Sequence, residues 1–135
     1  MASRRRKARI IVMQTLFELE RRRTDPQSIF IRNAVETGSK GVDLGFAETI
    51  LTGILSHDSE IRRAIEQNAP QWPLNRMDGI ARSILLMGTY EIMFGGDAPP
   101  AVVMDEAIEI AKEYGTGESA KFVNGVLNAI AHAKR

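Results

Sequence analysis

The chain contains no cysteine. That excludes disulfides, thiolate metal sites, iron–sulfur clusters and cysteine nucleophiles together, and it fits a reducing cytoplasm. Histidine occurs only twice, as His57 and His132. Both stand at edges of expected helices without a ligand partner at fixed spacing. Zinc needs three or four convergent ligands, so they read as surface or helix-terminal residues, and no metal is expected. No apolar run approaches the ~18 residues that a membrane span requires. The basic N-terminus is followed by no uninterrupted apolar stretch and no small-residue cleavage site, so no secretory signal is expected. Pairs of short β-branched runs joined by a hairpin turn are also missing.

Catalytic patterns are equally scarce. There is no nucleophile-elbow motif. Gly115-Thr116-Gly117-Glu118-Ser119 superficially resembles a phosphate loop, but it lacks the Gly-Lys-Ser/Thr ending and follows a helix rather than a strand. It reads as one helix stopping and the next starting. Asp105/Glu106 and Glu109/Glu113 read as solvated helix faces, not as acid–base pairs in an apolar pocket. The expectation is a protein that is not an enzyme, with no catalytic residues and no cofactor.

What the chain does have is a globular composition. Of its 135 residues, 44% are hydrophobic and 26% charged, as in a soluble protein with one core. The net charge of +1 conceals an asymmetry. Residues 1–23 carry eight basic groups against Glu18 and Glu20, while the remainder carries ten basic and fifteen acidic groups. One end is polarised toward a polyanion and the rest is a mildly acidic body. The cluster Arg4, Arg5, Arg6, Lys7 and Arg9 reads either as a nucleic-acid contact or as a solvated helix end.

Helical periodicity dominates. A first helix is expected over 4–22, with Ala8, Val12, Leu16 and Leu19 on one stripe, Ile11 and Thr15 beside it, and Ile10, Met13 and Phe17 widening the face. Pro26 ends it and opens a second helix over 26–37, whose apolar residues are Ile29, Phe30 and Val35. Gly38–Gly41 forms a loop. Asp43 caps a third helix to about 56, with Phe46, Ile50, Leu51 and Ile54 inward. Asp58 is expected to cap a fourth, carrying Ile61, Ala64 and Ile65 and ended by Pro70 and Pro73. Asn75 is expected to cap a long fifth helix to about Phe94, with Ile80, Ile84 and Met87 inward. A sixth covers 100–114 around Val103, Ala107, Ile110 and Ala111. A seventh runs from about Glu118 to the end, around Val123, Val126, Leu127 and Ile130. The expected fold is all-α, about seven helices in two packed bundles. It forms one domain over 1–135, with an N-terminal subdomain of about 1–57 and a C-terminal one of about 58–135.

The last helix carries the more informative pattern. Lys121, Asn124 and Asn128 fall at i, i+3 and i+7 and share a face. Asn is a poor helix-interior residue, so two on one stripe suggest a contact beyond stability. Phe122 and Gly125 lie alongside. A mid-helix Gly costs ~1 kcal/mol against Ala, which a close-approaching partner or a flat space beside the ring would offset. A cation, an aromatic ring and an amide together suit single-stranded RNA: phosphate neutralisation, base stacking and edge hydrogen bonds. The competing reading puts Phe122 in the core and lets Gly125 serve close helix packing.

Lys121-Phe122-Val123-Asn124-Gly125-Val126-Leu127 resembles the signature ending of the NusB family of bacterial transcription antitermination factors. Met104-Asp105-Glu106-Ala107-Ile108-Glu109-Ile110-Ala111-Lys112, followed by Tyr114-Gly115, is similar to the family segment before it. Ile84-Leu85 with Tyr90-Glu91-Ile92 resembles its central helix, and the Arg4–Arg9 cluster with Gln14-Thr15-Leu16-Phe17 its first. The resemblance spans the first basic cluster to about Leu127. It implies an all-helical fold of two small bundles. It also implies binding to the boxA element of nascent, single-stranded RNA, together with the ribosomal protein NusE, inside an antitermination complex on RNA polymerase, notably on ribosomal RNA operons. It assigns RNA contacts to Arg4, Arg5, Arg6, Lys7, Arg9, Lys121, Phe122 and Asn124, and leaves the residues that meet the protein partner unknown. Homodimerisation, which would cover the RNA surface, is a further option it implies.

Two positions depart from the family pattern: Leu86 follows Ile84-Leu85 where Arg is common, and Asp105 stands where Asn is usual. Both lie in the half implied to meet the protein partner. Arg21, Arg22 and Arg23 have no role in the pattern. A related module precedes a methyltransferase domain in some RNA cytosine methyltransferases; this sequence, ending at Arg135, is expected to lack one. The alternative function, from another class, is a helical protein–protein adaptor whose basic N-terminus docks on an acidic partner.

Overall fold

The computed structural model describes residues 3–22, 24–38, 40–95 and 97–133. Among them are seven α-helices and no strand: α1 (Arg4–Arg21), α2 (Pro26–Thr37), α3 (Leu44–Ser56), α4 (Asp58–Asn68), α5 (Gly79–Tyr90), α6 (Pro100–Tyr114) and α7 (Gly117–Ala133). The all-α expectation holds. No helix among the described residues is long and apolar enough to cross a membrane.

The core is organised around α5. Residues Ser83 to Thr89 are buried on every side, the condition of a helix that has neighbours all round. Helices α1, α3, α4, α6 and α7 all pack against it, and α2 packs on α1. The α1–α2 seam includes a buried polar pair. Asn33 Nδ2 donates to Thr15 Oγ1 at 3.3 Å, and that hydroxyl donates to the Ile11 carbonyl at 2.8 Å. α3 meets α5 at Gly53, where a Cβ would fall inside the Tyr90 ring; only glycine permits so close an approach. Val35, expected among the apolar residues of α2, is 72% exposed, because α1 is the one extensive packing neighbour of α2.

Three helix boundaries differ from the sequence reading. Asp58 is the first residue of α4 rather than its cap; His57 occupies the cap position and Asp58 instead accepts from Arg62 Nε at 2.9 Å. Asn75 does not cap α5. Pro73 leads into a 3-10 turn, Leu74–Arg76, and α5 starts afterwards at Asp78, whose carboxylate accepts from Ile80 N at 3.0 Å. Arg82 Nη1 holds that turn by donating to the carbonyls of Leu74 and Met77 at 2.9 and 3.0 Å. At its other end α5 runs into a π-helical turn, Glu91–Gly95. There Tyr90, Phe94 and His57 form an aromatic cluster, with the His57 and Phe94 rings stacked at 4.0 Å.

Candidate nucleic-acid interface

The start of α1 violates a local electrostatic rule. Ser3 caps the helix, its hydroxyl accepting from Arg6 N at 2.9 Å, and no acidic residue lies in the first turn. Arg4, Arg5, Arg6 and Lys7 instead crowd the positive end of the helix dipole, where each cation is disfavoured by roughly 0.3–1 kcal/mol. Breaches of this kind concentrate at functional sites.

The structure divides the five basic residues by what holds them. Arg9 is 3% exposed. Its Nε and Nη2 donate to the Glu91 carboxylate at 2.8 and 2.7 Å, and its guanidinium lies 5.0 Å from the Phe46 ring centroid. Against the expectation that Arg9 contacts RNA, the structure buries this side chain and holds its Nε and Nη2 on Glu91, tying α1 to the π-helical turn. Arg6 is intermediate. It donates to Glu106 from Nε at 2.6 Å and Nη2 at 3.2 Å, and this bond is the main reason its pKa stands above the ordinary value. Glu106, read from the sequence as part of a solvated face, thus anchors α6 to α1.

Arg4, Arg5 and Lys7 remain toward the surface. Arg5 lies 4.3 Å above the centre of the Phe46 ring, with Asp43 and Asp97 at 3.9 and 3.6 Å. Exposed contacts of that length are worth at most about 1 kcal/mol and yield readily to a phosphate. Phe46 is a half-buried platform beneath the Arg5 side chain, rather than simply an inward residue. Arg4 donates to the Val42 carbonyl at 3.5 Å, and the Lys7 ammonium reaches the Gly41 turn.

The second patch is on α7. Thr116 opens this helix, its hydroxyl accepting from Ser119 N at 3.1 Å. Val123, Val126, Leu127 and Ile130 are buried, while Lys121, Asn124, Gly125 and Asn128 are exposed on the opposite side. The expected stripe is thus realised. A Cβ on Gly125 would meet nothing within 4 Å, which removes close helix packing as the reason for the glycine. Phe122 is half-buried at the border of the two faces, packed against the core on one side and 6.1 Å from the Trp72 ring on the other. Trp72 was not among the sequence-derived candidates. The available signal was a lone tryptophan between two prolines.

The helices that carry the two patches are linked through α6, which packs on α7 and is held to α1 by Arg6. Arg6 grips Glu106 at the middle of α6, and Tyr114 at its end lies with Phe17 and Ile80 around one depression. Ser119 of α7 follows, donating to Asp78 Oδ2 at 3.2 Å. The stretch from Glu106 to Tyr114 rises about 12 Å at 1.5 Å per residue. Arg21 covers Phe17 at 4.7 Å and Arg22 caps α1; Arg23 lies outside the described residues.

Comparison with known proteins gives a consistent result. Residues 6–132 match the NusB family. The transcription antitermination protein NusB of Kineococcus radiotolerans is 36% identical over 96% of this chain and 94% of its own. The solved structure of T. maritima NusB superposes with a TM-score of 0.84 at 40% identity, covering 98% of this chain and 93% of that one. A chain in the crystal structure of the antitermination factors NusB and NusE in complex with dsRNA gives 0.87 at 27% identity, covering 95% and 96%.

Proposed function

Because the chain belongs to the NusB family, we propose that it is a transcription antitermination factor that binds boxA-type nascent RNA together with NusE and favours continued elongation by RNA polymerase. It works as a non-enzymatic adaptor in the cytoplasm, and ribosomal RNA operons are its natural setting. The observation that carries this reading is the exposed stripe Lys121, Asn124, Gly125 and Asn128. It spends helix stability on two amides and a glycine that nothing inside the fold requires.

The division of labour follows from chemistry. Arg4, Arg5 and Lys7, with Arg6 at their edge, neutralise phosphates and supply sequence-independent affinity. Lys121 adds a further charge. Asn124 both donates and accepts at a base edge, and Phe122 stacks on an unpaired base. The protein partner extends this surface. A homodimer formed over it would compete with RNA.

Arg5→Ala should weaken binding to boxA-type and scrambled RNA alike and reduce the slope of log affinity against log salt by about one unit. Titration at several salt concentrations checks this; an unchanged slope would remove Arg5 from the phosphate contacts. Gly125→Ala should move two quantities in opposite directions. With open space at its Cβ, alanine should raise folding stability by about 0.4–1 kcal/mol while lowering RNA affinity, because the methyl intrudes where the strand lies against the helix. Thermal melts beside RNA titrations separate the two; a gain in both would show that nothing approaches α7 there. The protein-adaptor alternative predicts binding to an acidic protein with no preference for boxA-type RNA.

A further inference from the structure

We propose that the cleft lined by Trp72 and Phe122 seats a single unstacked nucleobase carrying an exocyclic amine, an inference that rests on the RNA-binding reading above and names the part of the strand this site receives. The cleft holds about 420 Å³, within the range of small-ligand sites. The two rings touch in a tilted pair, inclined at 55° with centroids 6.1 Å apart, and together form one aromatic side of the cleft, against which a base lies rather than between them. The buried side chains Met77 and Ala81 complete its apolar lining. Trp72 is 54% exposed, an unusual cost for a side chain that is highly buried on average. It is also held in place. Pro70 and Pro73 restrict the chain on either side, and Trp72 N donates to the Ala69 carbonyl at 3.1 Å. An exposed aromatic wall that is already ordered loses little entropy when a planar ring enters.

The polar lining selects the kind of ring. Asp78, Thr116, Glu118 and Ser119 face this cleft, and among the described residues no cationic side chain lines it. A phosphate would meet carboxylates there and is disfavoured. A carboxylate offers about four lone-pair sites. Asp78 uses one oxygen for Ile80 N and the other for the Ser119 hydroxyl, which leaves acceptor capacity on both. The amino groups of adenine, cytosine and guanine match that surplus, whereas uracil presents two carbonyls around a single N–H. Lys121, the exposed neighbour of Phe122 on α7, stands outside the cleft, where the phosphate of the inserted nucleotide would remain in solvent.

Trp72 is the only tryptophan in the chain, so its fluorescence reports on this cleft alone. The test titrates the full-length protein with short oligoadenylate, oligocytidylate and oligouridylate carrying a terminal dye, reading RNA anisotropy and tryptophan emission in parallel. Oligoadenylate and oligocytidylate should bind more tightly than oligouridylate and quench Trp72. Trp72→Leu should weaken their binding roughly tenfold, the scale of one lost stacking contact, with little change in thermal stability because the ring is mostly in solvent. Asp78→Asn should keep the α5 cap, since Asn caps as well as Asp, yet shift preference toward oligouridylate, whose carbonyls the new amide can pair. A purely structural Asp78 would not alter base preference. Binding in anisotropy with Trp72 emission unchanged would overturn the cleft as the base seat while leaving RNA binding intact. Equal quenching by all three strands would overturn the amine selection. No anisotropy change with any RNA, boxA-type included, would overturn the RNA reading itself.

Discussion

Arg9→Ala is expected to destabilise the fold by about 3–5 kcal/mol, the cost of breaking a buried ion pair by removing one partner. The side chains of Arg9 and Glu91 are 4% and 6% exposed, and two charge-assisted hydrogen bonds join them. Without the guanidinium, the Glu91 carboxylate stays in a dry environment with its charge uncompensated. It also sits at the first residue of the π-helical turn, so its loss of a partner strains the link between α5 and α6. Arg9→Met with Glu91→Leu should recover much of the loss, because exchanging both partners for apolar groups is often close to neutral. Equilibrium denaturation of the single and double variants checks this. Affinity for RNA per folded molecule should stay near the parent value. A stable Arg9→Ala protein with weakened RNA binding would reverse the assignment and return Arg9 to the surface cluster.

Phe122→Ala is expected to lower RNA affinity by about 1–3 kcal/mol, the range for one base–aromatic stack, for target and scrambled strands alike. Truncation of a fully buried Phe costs 3–5 kcal/mol of stability. Phe122 is only half-buried and shares its outer side with Trp72, so its removal should cost clearly less than that. The ring thus has two roles in different proportions: the edge packed on the core fixes its position, and the side toward the cleft does the binding. Denaturation beside RNA titration resolves them. A stability loss in the full core range with affinity per folded molecule unchanged would take Phe122 out of the interface.

How legible this was depended on what each feature needed. The helices could be read because Pro26, Asp43, Pro100 and the apolar spacings act locally. The start of α5 could not. Asn75 and Asp78 are both good caps, and the choice between them is made by Arg82 reaching back to the carbonyls of Leu74 and Met77. The π-helical turn was equally hidden, since Glu91 is drawn by a residue 82 positions away.

The α7 stripe was legible in full, being a matter of helical spacing alone. The basic cluster was legible as charge but not as roles. One signal was available: Arg9, Val12, Met13 and Leu16 fall at i, i+3, i+4 and i+7, and all four are buried. The same periodicity that marks a core face marked Arg9 as part of it, and the sign of its charge obscured this. The role of Trp72 is not legible in the sequence because its partner Phe122 lies 50 positions away, and nothing local announces a cleft formed by a loop and a helix.

The α1 cluster and the α7 stripe are proposed to form one RNA surface that a protein partner completes. The affinity of the full-length chain for boxA-type and scrambled RNA of equal length, with and without NusE, at two salt concentrations, decides whether such a surface exists. A shared surface gives tighter binding to the boxA-type strand, a larger difference when NusE is present, and a preference that survives the higher salt while overall affinity falls. Equal binding to both strands at either salt, unaltered by NusE, would contradict it.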